Sequence, residues 1–389
     1  MTIEETTGAD TRALVEKVLE ALVSVASPGW QTVHAAFSMA GGEEIAQAVA
    51  VTADGSVSIP ATSKMVQPMR EHRRVTIGSQ GPWLRFLIDC DSSGNYSAAP
   101  DYGDAELPPS QLLPAAAYVR DFQQHPRDRA PVWLLAHMGN EGRQLRPARV
   151  AYQQAADGVS GADIADDEIP ALPLLWARTA VLAALCRGVD AAFGPRCDPT
   201  FQVHQGDGGG CTLARLPGGR AVLSGGRNDS PLLSAAYRGT ISWPDLYQGA
   251  PAWVHSLYLD PRATRGMLSF CYWFDGLHWY RSELPDAVSL NHNGRPWSPK
   301  DELVGGMPEV WTANDTAAAA IELLRDVDVA LSDRTAEVTA LIFAAESGIA
   351  TQDHLRRLLG DGVPDAFDMA EAMAQLDATA VVRPLPTER

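Results

Sequence analysis

TVHAAFSMAGGEEIAQAVAVTADGSVSIP, residues 32–60, has short blocks of small and β-branched residues broken twice by reversal signals. Gly41-Gly42 is the first break and Asp54-Gly55 the second; an Asp-Gly pair between such blocks is a strong hairpin signal. Strands are therefore predicted over residues 30–38, 44–52 and 56–59. Upstream, Leu14, Val15, Val18, Leu19, Leu22 and Val25 recur at helical spacing, which predicts an amphipathic helix over 12–25, capped by Asp10 and ended by Pro28-Gly29. Downstream, a short helix is expected over 62–73, with Pro68 in its first turn or kinking it. Two further strands, 83–90 and 95–98, flank a Ser-Ser-Gly turn, and a helix is expected over 111–123. This order of helices and meandering hairpins is an α+β pattern.

Between residues 155 and 168 the chain turns small and acidic, with Asp157, Asp163, Asp166, Asp167 and Glu168, and reads as a linker. A helix is predicted over 172–189, then strands over 200–204, 211–216, 220–224, 253–259, 267–274 and 277–282. The two halves share an element order. Residues 32–60 face QVHQGDGGGCTLARLPGGRAVLSGG (202–226), and WLRFLIDCDSSGNYSAAPD (83–101) faces MLSFCYWFDGLHWYRSELPD (267–286), which suggests an internal duplication placing His34 opposite His204. From residue 316 the pattern becomes helical, over 317–331, 336–345, 352–359 and 366–376, with a strand over 378–382. That outline is winged-helix-like, yet Arg356 and Arg357 stand almost alone among acids, so a packing or dimerisation module is expected. The predicted organisation is an α+β domain over 1–154, a linker over 155–168, a second, related α+β domain over 169–315 and a helical module over 316–389.

At 389 residues, 46% hydrophobic and 20% charged, the chain is in the globular range and long enough for two or three domains. Its formal charge of −17 would repel nucleic-acid phosphates and favour a cationic protein partner. The longest apolar stretch, 169–186, is interrupted by Pro170, Pro173 and Arg178, so no membrane span is expected. The acidic, polar opening lacks the basic-then-apolar form of a secretory signal, and a cytoplasmic location is expected. Five widely spaced cysteines without a C-x-x-C pair argue against a disulfide framework and a structural zinc site.

No nucleophile elbow, P-loop or H-E-x-x-H motif occurs. Gly206, Gly208, Gly209 and Gly210 imitate a phosphate loop, but Cys211 takes the third glycine's place and a strand follows, so a hairpin turn is expected. Asp89, Asp91, Ser93 and Gly94 imitate a calcium loop whose twelfth position is Pro100, not the required Glu. The nine histidines include no pair at i, i+3 or i+4. No catalytic residue, metal ligand or cofactor is therefore expected. What remains is a cluster of aromatic and acidic residues, Tyr96, Asp101, Tyr102, Asp104 and Glu106, with a counterpart at Trp273, Phe274, Trp279, Tyr280, Glu283 and Asp286. Rigid aromatics beside carboxylates suit a partner-binding surface; the alternative is half-buried strand residues beside a solvated loop.

Four stretches occur in a telling order: PGW (28–30), TADGS (52–56), GPWLRFLIDCDSSGNYSAAPDYGDAELP (81–108) and YVRDFQQHPRDRAPVWL (118–134). Over these residues the N-terminal part resembles immunity proteins of bacterial polymorphic toxin systems, in particular the YezG-like group and its actinobacterial relatives. The resemblance implies a small α+β domain that binds and blocks a secreted toxin domain, often a nuclease or another cytotoxic enzyme, without catalysis of its own. By matching position it makes Trp83 a core or interface aromatic and puts Asp101, Tyr102 and Asp104 in a characteristic loop, here without its initial Asn. Such proteins often have one domain, so residues 316–389 are left unexplained, with a homodimer through that module as one expectation. The function expected is a toxin-neutralising immunity factor; the alternatives are an adaptor or chaperone for a secreted protein and an enzyme with a site between the two α+β domains.

Overall fold

The structure, a computed structural model, describes residues 3–127, 129–158, 162–284, 291–292, 295–325, 327, 334–360 and 364–383. It is α+β, with two large antiparallel sheets and a two-residue ribbon pairing Asn291–His292 with Arg295–Pro296, and forms two compact units, Met1–Gly139 and Asn140–Arg389.

In the first unit α1 spans Ile3–Val25, so Asp10 lies inside the helix and caps nothing. β1 (Trp30–Ala40), β2 (Glu43–Thr52) and β3 (Gly55–Ile59) follow, then α2 (Ser63–Val75), which carries Pro68 in its interior. β4 (Arg85–Asp91) and β5 (Tyr96–Asp101) complete a sheet ordered β3-β2-β1-β4-β5. A 3-10 turn, Pro109–Gln111, precedes α3 (Ala115–Gln124), and α4 spans Val132–Gly139. The helix predicted from 111 begins at Ala115 because Pro114 holds Leu113 out of the helical region.

Strand alternation divides this sheet into two faces. Val33, Ala35, Phe37, Ala48, Ala50, Phe86 and Ile88 point to α1 and α2, where Val18, Leu22, Met65 and Met69 meet them around the buried Trp83. Trp83 Nε1 donates to His72 Nδ1 at 3.2 Å, which satisfies the indole without water. On the opposite face the segment from Leu107 to α3 covers one end of the sheet. Gln47 Nε2 donates to the Ser110 carbonyl at 2.8 Å, and Arg85 Nη1 to Gln111 Oε1 at 2.8 Å. Asp121 of α3 is buried but accepts from Gly41 N, Arg73 Nη2 and Arg127 Nη2, so its charge is paired. Gly41 is obligatory there, since at φ +52° a Cβ would lie 2.1 Å from the Ala117 carbonyl oxygen.

The second unit contains α5 (Ala148–Ala156), β6 (Ala162–Ile164) and α6 (Leu172–Gly188), then β7 (Gly194–Cys197), β8 (Phe201–Gly206), β9 (Gly209–Leu216) and β10 (Arg220–Arg227). α7 (Pro231–Tyr237), α8 (Arg262–Arg265), β11 (Phe270–Phe274) and β12 (Trp279–Ser282) follow, then α9 (Pro299–Gly306), α10 (Ala313–Leu323), α11 (Arg334–Glu346), α12 (Gln352–Leu359) and α13 (Met369–Ala378). The sheet runs β6-β12-β11-β10-β9-β8-β7.

All but three of the seventeen residues of α6 are buried, and a helix apolar all round must be covered all round. The sheet covers one side; α10, α11 and α13 cover the rest and share its core. This corrects the predicted organisation: residues 316–389 are no separate module, and their apolar faces are spent on α6. Residues 378–382 contribute a single bridge, Ala350 to Val382, and residues 326 and 328–331 of the first tail helix lie outside the described residues. The predicted linker is partly structural, since 162–164 pair with β12 as an edge strand. The boundary falls after Gly139 because Gln144 exchanges two hydrogen bonds with Leu268, tying the following segment into the second unit. No strand forms over 253–259; the carbonyls of Ala250, Pro251 and Val254 are held by the Arg146 guanidinium instead. The proposed duplication also fails on topology. β1 is central and pairs with β4, whereas β8, aligned with it, lies beside the edge strand β7 and β11 pairs with β10.

Candidate partner-binding face

The sequence-predicted residues do not form one surface. Tyr96 is 37% exposed on the helix-facing side of β5, opposite Cys90, where its hydroxyl contacts Arg12. Asp101 closes the same strand about 17 Å away at 3.4 Å per residue. Its Oδ2 lies 2.6 Å from Arg85 Nη2 and its Oδ1 accepts from Gly103 N at 2.8 Å, so it is an anchor, not a loose loop charge. Tyr102 is half-buried against the first core, and Trp133 Nε1 donates to the Gly103 carbonyl at 2.7 Å, pinning the turn. Asp104 and Glu106 are exposed.

In the second unit Trp273 is 3% and Trp279 1% exposed. They are core residues, because β11 lies inside a sheet covered on both faces, and Trp279 Nε1 donates to the Pro170 carbonyl at 3.2 Å. Tyr280 and Phe274 are half-buried and Glu283 is exposed; Asp286 lies outside the described residues. The tryptophans therefore present no face to a partner.

The surface that sequence reasoning missed is the uncovered half of the five-stranded sheet. Thr32 and His34 of β1, Val49 and Val51 of β2, Ser58 of β3, Leu87 and Asp89 of β4, and Ser97 and Ala99 of β5 share the face turned away from α1 and α2. Val49, Val51 and Leu87 are half-exposed, while the alanines behind the valines are buried. The alternation AVAV at 48–51 was thus a readable signal: the smaller residue faces the core and the larger faces outward.

The face also has a distinctive charge pattern. The strands carry five carboxylates, Glu43, Glu44, Asp89, Asp91 and Asp101, and one cation, Arg85. Glu43 pairs with Arg120, Glu44 with Arg70 and Asp101 with Arg85. Asp89 and Asp91 have no Lys or Arg partner among the described residues. Asp89 Oδ1 lies 2.6 Å from His34 Nδ1, and His34 Nε2 lies 3.3 Å from Thr32 Oγ1. Asp91 accepts from Asn95 Nδ2 at 2.9 Å, Asn95 N at 3.0 Å and Ser93 N at 2.9 Å; these bonds, the Asn95 side chain foremost, hold its carboxyl below the usual range.

Two internal features of the second unit have structural explanations. A cavity of about 260 Å³ is walled by Arg146, Gln154, Asp245, Tyr247 and Gln248. Arg146 is 1% exposed and donates to Gln154 Oε1 and to three loop carbonyls, so it is engaged in shaping that loop. His204 lines a far smaller space beside Leu175, Gln202, Cys211, Leu213 and Leu223. Burial, aided by the Arg262 charge, lowers its pKa to about 4. The cysteines are unbonded, and burial raises the thiols of Cys186 to about 11 and of Cys197 and Cys271 to about 12. Among the described residues no group of three His, Cys, Asp or Glu is placed to hold a metal, and no helix is long and apolar enough to cross a membrane.

The chain matches no protein-family model and no curated protein.

Proposed function

We propose that this protein is a cytoplasmic immunity factor that neutralises a cognate bacterial toxin by binding it directly. The observation that carries the reading is the uncovered half of the first unit's sheet, where half-exposed aliphatic side chains adjoin two carboxylates that have no Lys or Arg partner among the described residues, Asp89 meeting only His34. Apolar surface of this kind, rimmed by polar groups, marks sites of protein association. Its β4 and β5 residues lie within the stretch 81–108 that resembles immunity proteins. The formal charge of −17 supports a basic partner by steering encounter.

Growth rescue tests the proposal. Cells expressing the toxin domain that co-purifies with this protein should grow when the protein is co-expressed. Growth arrest that persists despite a formed complex would refute neutralisation and leave an adaptor role for the same binding.

A further inference from the structure

Resting on that reading, the geometry points to the chemistry of the occupant: the open half of the five-stranded sheet receives a basic, otherwise aliphatic segment of the toxin. An arginine or lysine of that segment pairs with Asp89 and Asp91, and its aliphatic side chains cover Val49, Val51 and Leu87.

Three features of the face select this occupant. The first is apolar area: β2 turns its larger side chains away from α1 and α2, and the segment from Leu107 to α3 covers only the far end of that side. The second is charge. The other strand carboxylates are matched within the unit by Arg70, Arg85 and Arg120, whereas these two, on the same face and at the same end, have no Lys or Arg partner among the described residues, Asp89 meeting only the His34 imidazole. The third is preorganisation. His34 holds Asp89 at 2.6 Å, and two amide N–H groups and the Asn95 side chain fix Asp91, so little ordering is needed when a cation arrives.

Other occupants fit less well. An acidic peptide or a nucleic acid meets like charge. A wholly apolar segment would strip water from two carboxylates and return no partner, which is costly.

The test uses the full chain with p-benzoylphenylalanine in place of Val49, irradiated in the producing organism, and sequencing of the attached peptide. The expected peptide contains Arg or Lys among aliphatic residues and belongs to the toxin polypeptide that co-purifies with the protein. In parallel, Asp89→Asn with Asp91→Asn should weaken that complex by about 30-fold or more, the lower end for loss of a desolvated charge pair. Val49→Lys, which leaves both aspartates and their hydrogen bonds in place, should weaken it as well and guards against a misfolded double variant. An acidic or uncharged attached peptide, or unchanged affinity in folded variants, would overturn the occupant while leaving toxin binding intact. Failure to recover any toxin polypeptide would remove both proposals.

Discussion

Acidification should remove stability from the second unit, and His204 contributes a separable part of that loss. Its Nδ1 is buried without a hydrogen-bond partner among the described residues, against Leu175, Leu213 and Leu223, and its pKa falls from 6.5 to about 4 on folding. Between those values the unfolded chain binds the extra proton and the native one does not, so native stability is complete above pH 6.5 and declines as the pH falls towards 4. The difference of 6.5 − 4 = 2.5 units, at about 1.4 kcal/mol per unit, bounds the effect at about 3 kcal/mol, with about 2 kcal/mol lost by pH 5. Chemical unfolding of the wild type and of His204→Gln from pH 7.5 to 4 isolates it, because all other groups titrate alike in both. The stability difference between the two proteins should shrink by about 2 kcal/mol by pH 5. A pH-independent difference would mean that His204 is solvated and the reasoning from its burial is wrong.

Four substitutions probe other parts of the fold by equilibrium unfolding. Trp83→Ala removes a fully buried ring and should cost about 3 to 5 kcal/mol; a loss under about 1 kcal/mol would contradict its place in the first core. Asp101→Lys sets a cation against Arg85 and should cost about 3 kcal/mol or more, whereas Asp104→Lys should stay within about 0.5 kcal/mol; equal effects would contradict the assigned pairing. Arg146→Met leaves the carbonyls of Ala250, Pro251 and Val254 without their donor and should destabilise the second unit by about 3 kcal/mol or more, read as an earlier unfolding midpoint.

Local signals in the sequence carried the first unit and much of the second unit's sheet. The Asp54-Gly55 reversal, the blocks of small and β-branched residues and the helical spacing of α1 depend on neighbours within a few residues; the strands form where their blocks lie, while α1 begins at Ile3, ahead of the expected start at 12. Readings that depended on distant partners fared worse. Residues 253–259 are apolar enough for a strand, but the Arg146 guanidinium takes three carbonyls of the surrounding loop. The tail helices are amphipathic in isolation, and only the all-round apolarity of α6 reveals where their apolar faces go. The same limit governs the candidate site. Trp273 and Trp279 have the composition of an interface, yet burial is set by what covers a strand, which lies elsewhere in the chain. That Asp89 and Asp91 lack a Lys or Arg partner among the described residues emerges only when Glu43, Glu44 and Asp101 find their arginines across the fold.

The most direct test of the central claim is affinity purification of the tagged full chain from its producing organism at low ionic strength, with mass spectrometry of what remains bound and a salt gradient for release. A polypeptide bearing a toxin domain should elute as salt rises, since exposed charge pairs are screened beyond about 10 Å at 0.1 M salt. A chain that elutes alone, or with a small molecule in place of a protein, would contradict it.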